Sequence, residues 1–183
     1  MRDARALLCV GLAFAMLAGS ARPGLARVLK TSARLQGVEW LEPKGFRPAD
    51  LDGRIVVVEF WTFACVNCQA TFPAVRKLDS VLGTRAAFVS VHTPELAFER
   101  DASVVRSTLA RERLRFPVAQ DNDSRAWRAF DNHYWPAFYV LDPSGRIRYT
   151  HIGELHEGTP DWSRLLKAID DLAPAVRDGS TPK

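Results

Sequence analysis

The run Ile-Val-Val-Val-Glu-Phe-Trp at residues 55–61 is the strongest constraint on how this chain can fold. It is apolar and β-branched with no polar alternation, and the turn pair Asp52-Gly53 precedes it. That pattern predicts a strand buried on both faces, which requires cover from both sides. The run leads directly into Thr62-Phe63-Ala64-Cys65-Val66-Asn67-Cys68. Helical spacing follows over residues 65–82, carried by Phe72, Val75, Leu78, Val81 and Leu82, and Gly83 is a good C-terminal stop.

The remaining pattern alternates. Strands are expected at 86–91, 116–119, 137–141 and 146–152, and helices at 102–113, 124–130 and 161–172. Val104, Val105 and Leu109 mark the apolar face of the helix at 102–113, Ser124 is a candidate N-cap, and Pro174 ends the last helix. Asp142-Pro143-Ser144-Gly145 is a turn that makes the last two strands an antiparallel hairpin. The order predicts an α/β fold, a mixed sheet with helices on both faces.

Composition narrows the function. The chain has 183 residues, room for one domain, or one domain and a leader. Charged residues make up 25% and hydrophobic ones 47%, the balance of an ordinary globular protein. The formal charge of +4 is spread over scattered arginines, so no basic tract points to nucleic acid.

Residues 1–21 have the grammar of a secretory signal. Arg2 and Arg5 precede an apolar run at 6–18, and small residues follow. The run is shorter than the roughly 20 residues a bilayer span needs. Cleavage is expected after Ala21, or else after Ala26; an uncleaved membrane anchor is the alternative. Residues 22–36 read as a linker, 37–174 as the domain and 175–183 as a flexible tail. The expected compartment is the periplasm or the exterior, both oxidising.

Removing the leader removes Cys9 and leaves Cys65 and Cys68. A thiol in the first turn of a helix meets the positive end of the macrodipole and unpaired N–H groups. Both favour thiolate, and Cys-X-X-Cys thiols commonly fall from about 8.5 to 7 or below. Three residues along a helix bring the second thiol to the same face. Cys65 is the candidate nucleophile and Cys68 the resolving thiol. A structural disulfide would constrain so short a loop little. A zinc site with His151 and His156 needs ligands far apart in sequence.

These residues resemble the thioredoxin superfamily. Phe60-Trp61-Thr62 with Cys65-Val66-Asn67-Cys68, then His92-Thr93-Pro94-Glu95, Asp121-Asn122 and Tyr134-Trp135-Pro136-Ala137, resemble the TlpA/ResA-like extracytoplasmic thioredoxins and the redox domain of DipZ-type proteins. The resemblance covers residues 45–172. It implies a thioredoxin-like three-layer α/β/α fold with a helix-strand insertion at 102–119. It makes Pro136 the cis-proline facing the dithiol and puts Trp135 in the substrate groove, with plain packing as the other reading of Trp135. Pro73 would kink the active-site helix, and Trp61 would pack beside the dithiol. Glu59 stands where thioredoxins keep a buried carboxylate. It is the lone ionisable residue of its run, and burial raises a carboxylate toward a pKa useful for proton transfer.

The expected activity is thiol–disulfide oxidoreduction, in the direction of reducing disulfides in partner proteins. No counterpart of the membrane-spanning domain of DipZ-type proteins is present, so electrons are expected from a separate thiol protein, membrane-bound donors included. The chain is expected to be monomeric, with no cofactor and no metal. Two alternatives stand beside this. Thr62-x-x-Cys65 is half of the peroxiredoxin pattern, with Val58 at its proline position, which leaves a thiol peroxidase. Two thiolates with a histidine such as His133 suit Cu(I), which leaves a copper chaperone. His92, His133, His151 and His156 otherwise read as ordinary polar or loop residues.

Overall fold

The computed structural model describes residues 28–177, with side chains to residue 173. The expected leader and its cleavage sites lie outside these residues. Among the described residues no helix is long and apolar enough to cross a membrane.

Six strands form one mixed sheet: β1 (Glu39–Glu42), β2 (Val56–Trp61), β3 (Ala87–His92), β4 (Val118–Gln120), β5 (Ala137–Leu141) and β6 (Ile147–Ile152). Their order across the sheet is β1-β4-β3-β2-β5-β6. β2 is parallel to β3 and antiparallel to β5, so it lies near the centre. All six of its residues are buried, as a run without polar alternation requires.

Side chains of a strand alternate between faces, and β2 divides its residues accordingly. Val57 and Trp61 enter a core under α2 (Val66–Leu82), α3 (Ala102–Glu112) and α5 (Pro160–Arg177). Val56, Val58 and Phe60 enter a second core with Ala126 and Phe130, at and just after α4 (Arg125–Ala129). Phe60 anchors that second core, with T-shaped contacts to Phe130 at 5.2 Å and Tyr139 at 5.8 Å. The result is three layers, α/β/α, with α3 and β4 as the inserted helix-strand pair.

Several expectations are corrected. Residues 31–34, expected within a linker, form the short helix α1 (Thr31–Arg34) and pack on the domain. Ser32 donates backbone and hydroxyl hydrogen bonds to Asp52, and Arg34 reaches the carbonyls of Ala129 and Gly145. The segment looks like a linker because polar contacts, not an apolar face, hold most of it; only Leu35 adds to the core. β1 was not foreseen and pairs antiparallel with β4 at the sheet edge.

Ser124 does not cap α4. It adopts a left-handed φ of 53° and makes no side-chain cap bond. The Asp121 carboxylate instead accepts from the N–H groups of Arg125, Ala126 and Trp127. Val104 is exposed, unlike Val105 and Leu109. α5 continues through Pro174 to Arg177, past the expected stop. A proline removes one helix hydrogen bond without forcing the helix to end, as Pro73 inside α2 also shows.

Candidate active site

The loop from β2 to α2 presents two free cysteines on unequal terms. Cys65 is the N-cap of α2, with extended backbone at φ −74° and ψ 115°. Its Sγ accepts the backbone N–H of Cys68 at 3.2 Å, so a sulfur does the work that serine or aspartate oxygen does in most N-caps. Cys65 is half-buried, and Val66 beside it is 75% exposed, whereas Cys68 is 0% exposed. Burial pushes the Cys68 thiol up, and its hydrogen bond with Cys65 and the nearby Glu59 charge add to that.

Glu59 is 1% exposed on the face of β2 that carries Val57 and Trp61. Ser90, its register partner on β3, donates its hydroxyl to Oε2 at 2.7 Å. Oε1 has no hydrogen-bond partner among the described residues. Burial raises this carboxyl to about 7, with the Ser90 bond pulling weakly the other way.

The Trp135–Pro136 peptide is cis, at the start of β5. The Trp135 carbonyl accepts from Cys65 Sγ at 3.9 Å. The Trp135 indole is already engaged: Nε1 donates to the Thr93 carbonyl at 3.0 Å, and the ring packs on Trp127 at 4.2 Å. The ring is thus packed and hydrogen-bonded while only partly buried, and the Trp135 carbonyl is what meets Cys65. Trp61 packs edge-on against Phe72 at 5.4 Å and shares a core with Cys68.

Two further residues close the site from below, and sequence reading missed both. His92 is not an ordinary loop residue; it ends β3, fully buried, between Trp61 and Phe63. Its Nε2 lies 3.3 Å from Thr62 Oγ1 and 3.4 Å from the Phe63 amide. Burial lowers it to about 4, against the opposing field of Glu99, so the ring is neutral at physiological pH. Glu99 lies on a 3-10 turn at Ala97–Arg100 and is also fully buried. It accepts from the Thr62 hydroxyl and from the amides of Ala64, Glu95 and Leu96. His92 had a faint signal, as the last residue of a strand entering a His-Thr-Pro-Glu motif. Glu99 had none, because an acidic residue near a helix start reads as solvated.

The Thr62 hydroxyl is thus held by Glu99 and His92. His133, offered as a copper ligand, is an exposed partner of Asp131, and His156 pairs with Glu154. His151 is bonded to the Glu154 carbonyl and paired with Asp161.

Comparison with known protein families matches residues 36–150, from just before β1 to within β6, to the AhpC/TSA family. The chain belongs to the AhpC/TSA family. Protein DipZ of Mycobacterium tuberculosis is 36% identical over 152 residues, which is 80% of this chain but 22% of DipZ. This AhpC/TSA-family chain therefore spans about a fifth of that relative's length. Thiol-disulfide oxidoreductase YkuV of Bacillus subtilis is 27% identical over 62% of this chain and 77% of its own length. The crystal structure of a thiol-disulfide isomerase from Corynebacterium glutamicum superposes with a TM-score of 0.63 at 22% identity, covering 74% of this chain and 90% of that one. By family, sequence and fold the chain is thus a thioredoxin-like homologue of thiol–disulfide oxidoreductases.

Proposed function

We propose that the chain reduces disulfide bonds in partner proteins outside the cytoplasm, using Cys65 and Cys68. The observation that carries this is the asymmetry of the pair: an accessible sulfur capped on an amide, and a buried one beside a buried carboxyl. Cys65 thiolate attacks one sulfur of the partner's disulfide, forming a mixed disulfide and expelling a partner thiolate. Cys68 then gives its proton to the Glu59 carboxylate and attacks Cys65 Sγ. The second partner thiolate leaves, the Cys65–Cys68 disulfide forms, and the partner has gained two electrons. A carboxyl near 7 can take that proton and return it at neutral pH.

The Trp135 carbonyl beside Cys65, next to Pro136, offers an acceptor to the bound partner backbone. Re-reduction of the pair needs a dithiol protein as electron donor. The signal-like residues 1–21 support a periplasmic or secreted location.

The test is trapping. Cys68→Ser should accumulate a mixed disulfide at Cys65 in periplasmic extract, and Cys65→Ser should accumulate none. Failure of Cys68→Ser to trap any species sinks the proposal. A midpoint potential above about −150 mV would overturn the reducing direction while leaving the exchange chemistry in place. Peroxide consumption that survives Cys68→Ser but not Cys65→Ser would make the chain a thiol peroxidase instead.

A further inference from the structure

We propose that Phe98, with Phe63 and Leu96, forms the docking surface for the protein substrate. It takes an aromatic or branched aliphatic side chain that stands next to the reacting cysteine in an extended, disulfide-bearing segment. The proposal rests on Cys65 as the nucleophile and names the class of segment that reaches it.

Phe98 lies on the 3-10 turn at Ala97–Arg100 and is 60% exposed, and Leu96 just before the turn is 49% exposed. Neither belongs to either core. The Phe98 ring sits 5.9 Å from the Phe63 ring, and Phe63 in turn stacks on the buried His92 at 5.5 Å. Phe63 is two residues before Cys65, and the exposed Val66 follows Cys65 directly. The apolar surface therefore leads from the 3-10 turn to the loop that carries the nucleophile. Exposed aromatic rings continuous with a reactive group mark an interaction surface, unlike apolar residues scattered singly.

The surroundings select the occupant. No charged residue occurs from Phe60 to Val75, and Glu95 is the lone charge from Pro94 to Phe98. Such a surface offers little to a basic or acidic side chain and gains by covering an apolar one. It is also held in place. Thr62 and Ala64 on the active-site loop, and Glu95 and Leu96 on the other, all donate to the Glu99 carboxylate, which ties the two loops together. A surface fixed before binding loses little conformational freedom when it is covered. The Trp135 carbonyl, 3.9 Å from Cys65 Sγ, meets a backbone and is indifferent to sequence. Selectivity among disulfides then falls to the aromatic surface.

The experiment uses the reduced full chain and two short peptides, identical except for Phe or Ser beside the single cysteine. That cysteine is joined by a disulfide to thionitrobenzoate. Cys65 thiolate attacks the peptide sulfur and expels thionitrobenzoate; Cys68 then attacks Cys65 Sγ and expels the peptide thiolate. The dithiol is oxidised, the peptide disulfide is reduced, and the coloured thiolate reports the rate. Each rate is divided by that of the same peptide with glutathione, which removes differences in the peptides' own reactivity. The parent should prefer the Phe peptide by about tenfold. Phe98→Ser should reduce that preference to within about twofold, and Phe98→Leu, still apolar, should keep most of it. Val104→Ser, at an exposed apolar position on α3, should leave it as in the parent.

Damage to the dithiol slows both peptides equally and leaves their ratio alone, so a purely structural role for Phe98 does not produce this result. A parent without preference, or a preference that survives Phe98→Ser, overturns the proposal. So does a dimer of the parent that Phe98→Ser dissociates while the peptide ratio stays near one, which assigns the face to a second copy of the chain. A parent that reduces neither peptide overturns the role given to Cys65, and the docking surface falls with it.

Discussion

Glu59 and Ser90 face each other across the β2–β3 ladder, and the Ser90 hydroxyl holds one carboxylate oxygen of Glu59 at 2.7 Å while the other has no partner. The half-satisfied carboxyl rises to about 7 from an ordinary 4.5. The folded chain therefore binds this proton more tightly than the unfolded chain. Its stabilising effect is full below about 4.5 and is lost as pH rises through about 7. The advantage of Glu59→Gln over the parent should grow across that window and level off above it, at about 3 kcal/mol. Urea unfolding of the reduced proteins at pH 4.5, 6 and 8 checks this. A pH-independent difference would show that Glu59 does not titrate in the window.

His92 has the reverse dependence. Its depression to about 4 means that its contribution is present above about 6.5 and fades as pH falls through 4. The two residues pull stability in opposite directions over the shared range, so the parent protein should look nearly insensitive to pH there. In His92→Gln the decline with rising pH caused by Glu59 should emerge between pH 4.5 and 6.5. A flat curve in that variant would contradict the assignment.

Asp121 caps three amides of α4, and Trp127 is one of its donors. Asp121→Ala should cost about 2 kcal/mol, measured by chemical denaturation. Because Trp127 supports the Trp135 ring, the same variant should change the tryptophan fluorescence of the folded protein. An unchanged stability would mean that another group takes over the cap.

Trp135→Phe keeps a ring on Trp127 and removes the bond to the Thr93 carbonyl. The expected loss is about 1 kcal/mol of stability. Turnover of a disulfide substrate should fall by less than about threefold, since the Trp135 backbone is what faces Cys65. A loss greater than tenfold would mean that the indole contacts substrate.

Gly145 has φ 86°, and a Cβ there would run into the backbone carbonyl of Leu29. Gly145→Ala should destabilise the protein by about 2 kcal/mol and free the segment leading into α1. Faster proteolysis near residues 28–34 than in the parent would show that release; an unaltered cleavage pattern would not fit.

What was legible in the sequence follows from the range of the interactions. β2 could be read because burial on both faces leaves a continuous apolar run, and Glu59 stood out as the lone ionisable group in it. The place of Cys65 at the head of α2 could be read because strand, loop and helix are contiguous. β1 could not, since only Leu41 in it is buried and backbone pairing with β4 holds the rest. The α4 cap was misassigned because Asp121 reaches forward past Ser124, the residue in the customary position. Thr62 bonds His92 across 30 residues and Glu99 across 37, separations that leave no spacing to detect.

The edge strand β1 has a consequence for solubility. It is four residues long, its register is interrupted between Trp40 and Glu42, and it ends at Pro43 with a glutamate at each terminus. Shortness, irregular pairing, acidic side chains and a proline are the features that stop a sheet edge from annealing to another chain. At the opposite edge, β6 carries the exposed Arg148. At its β1 rim the sheet is therefore a poor template for lateral growth.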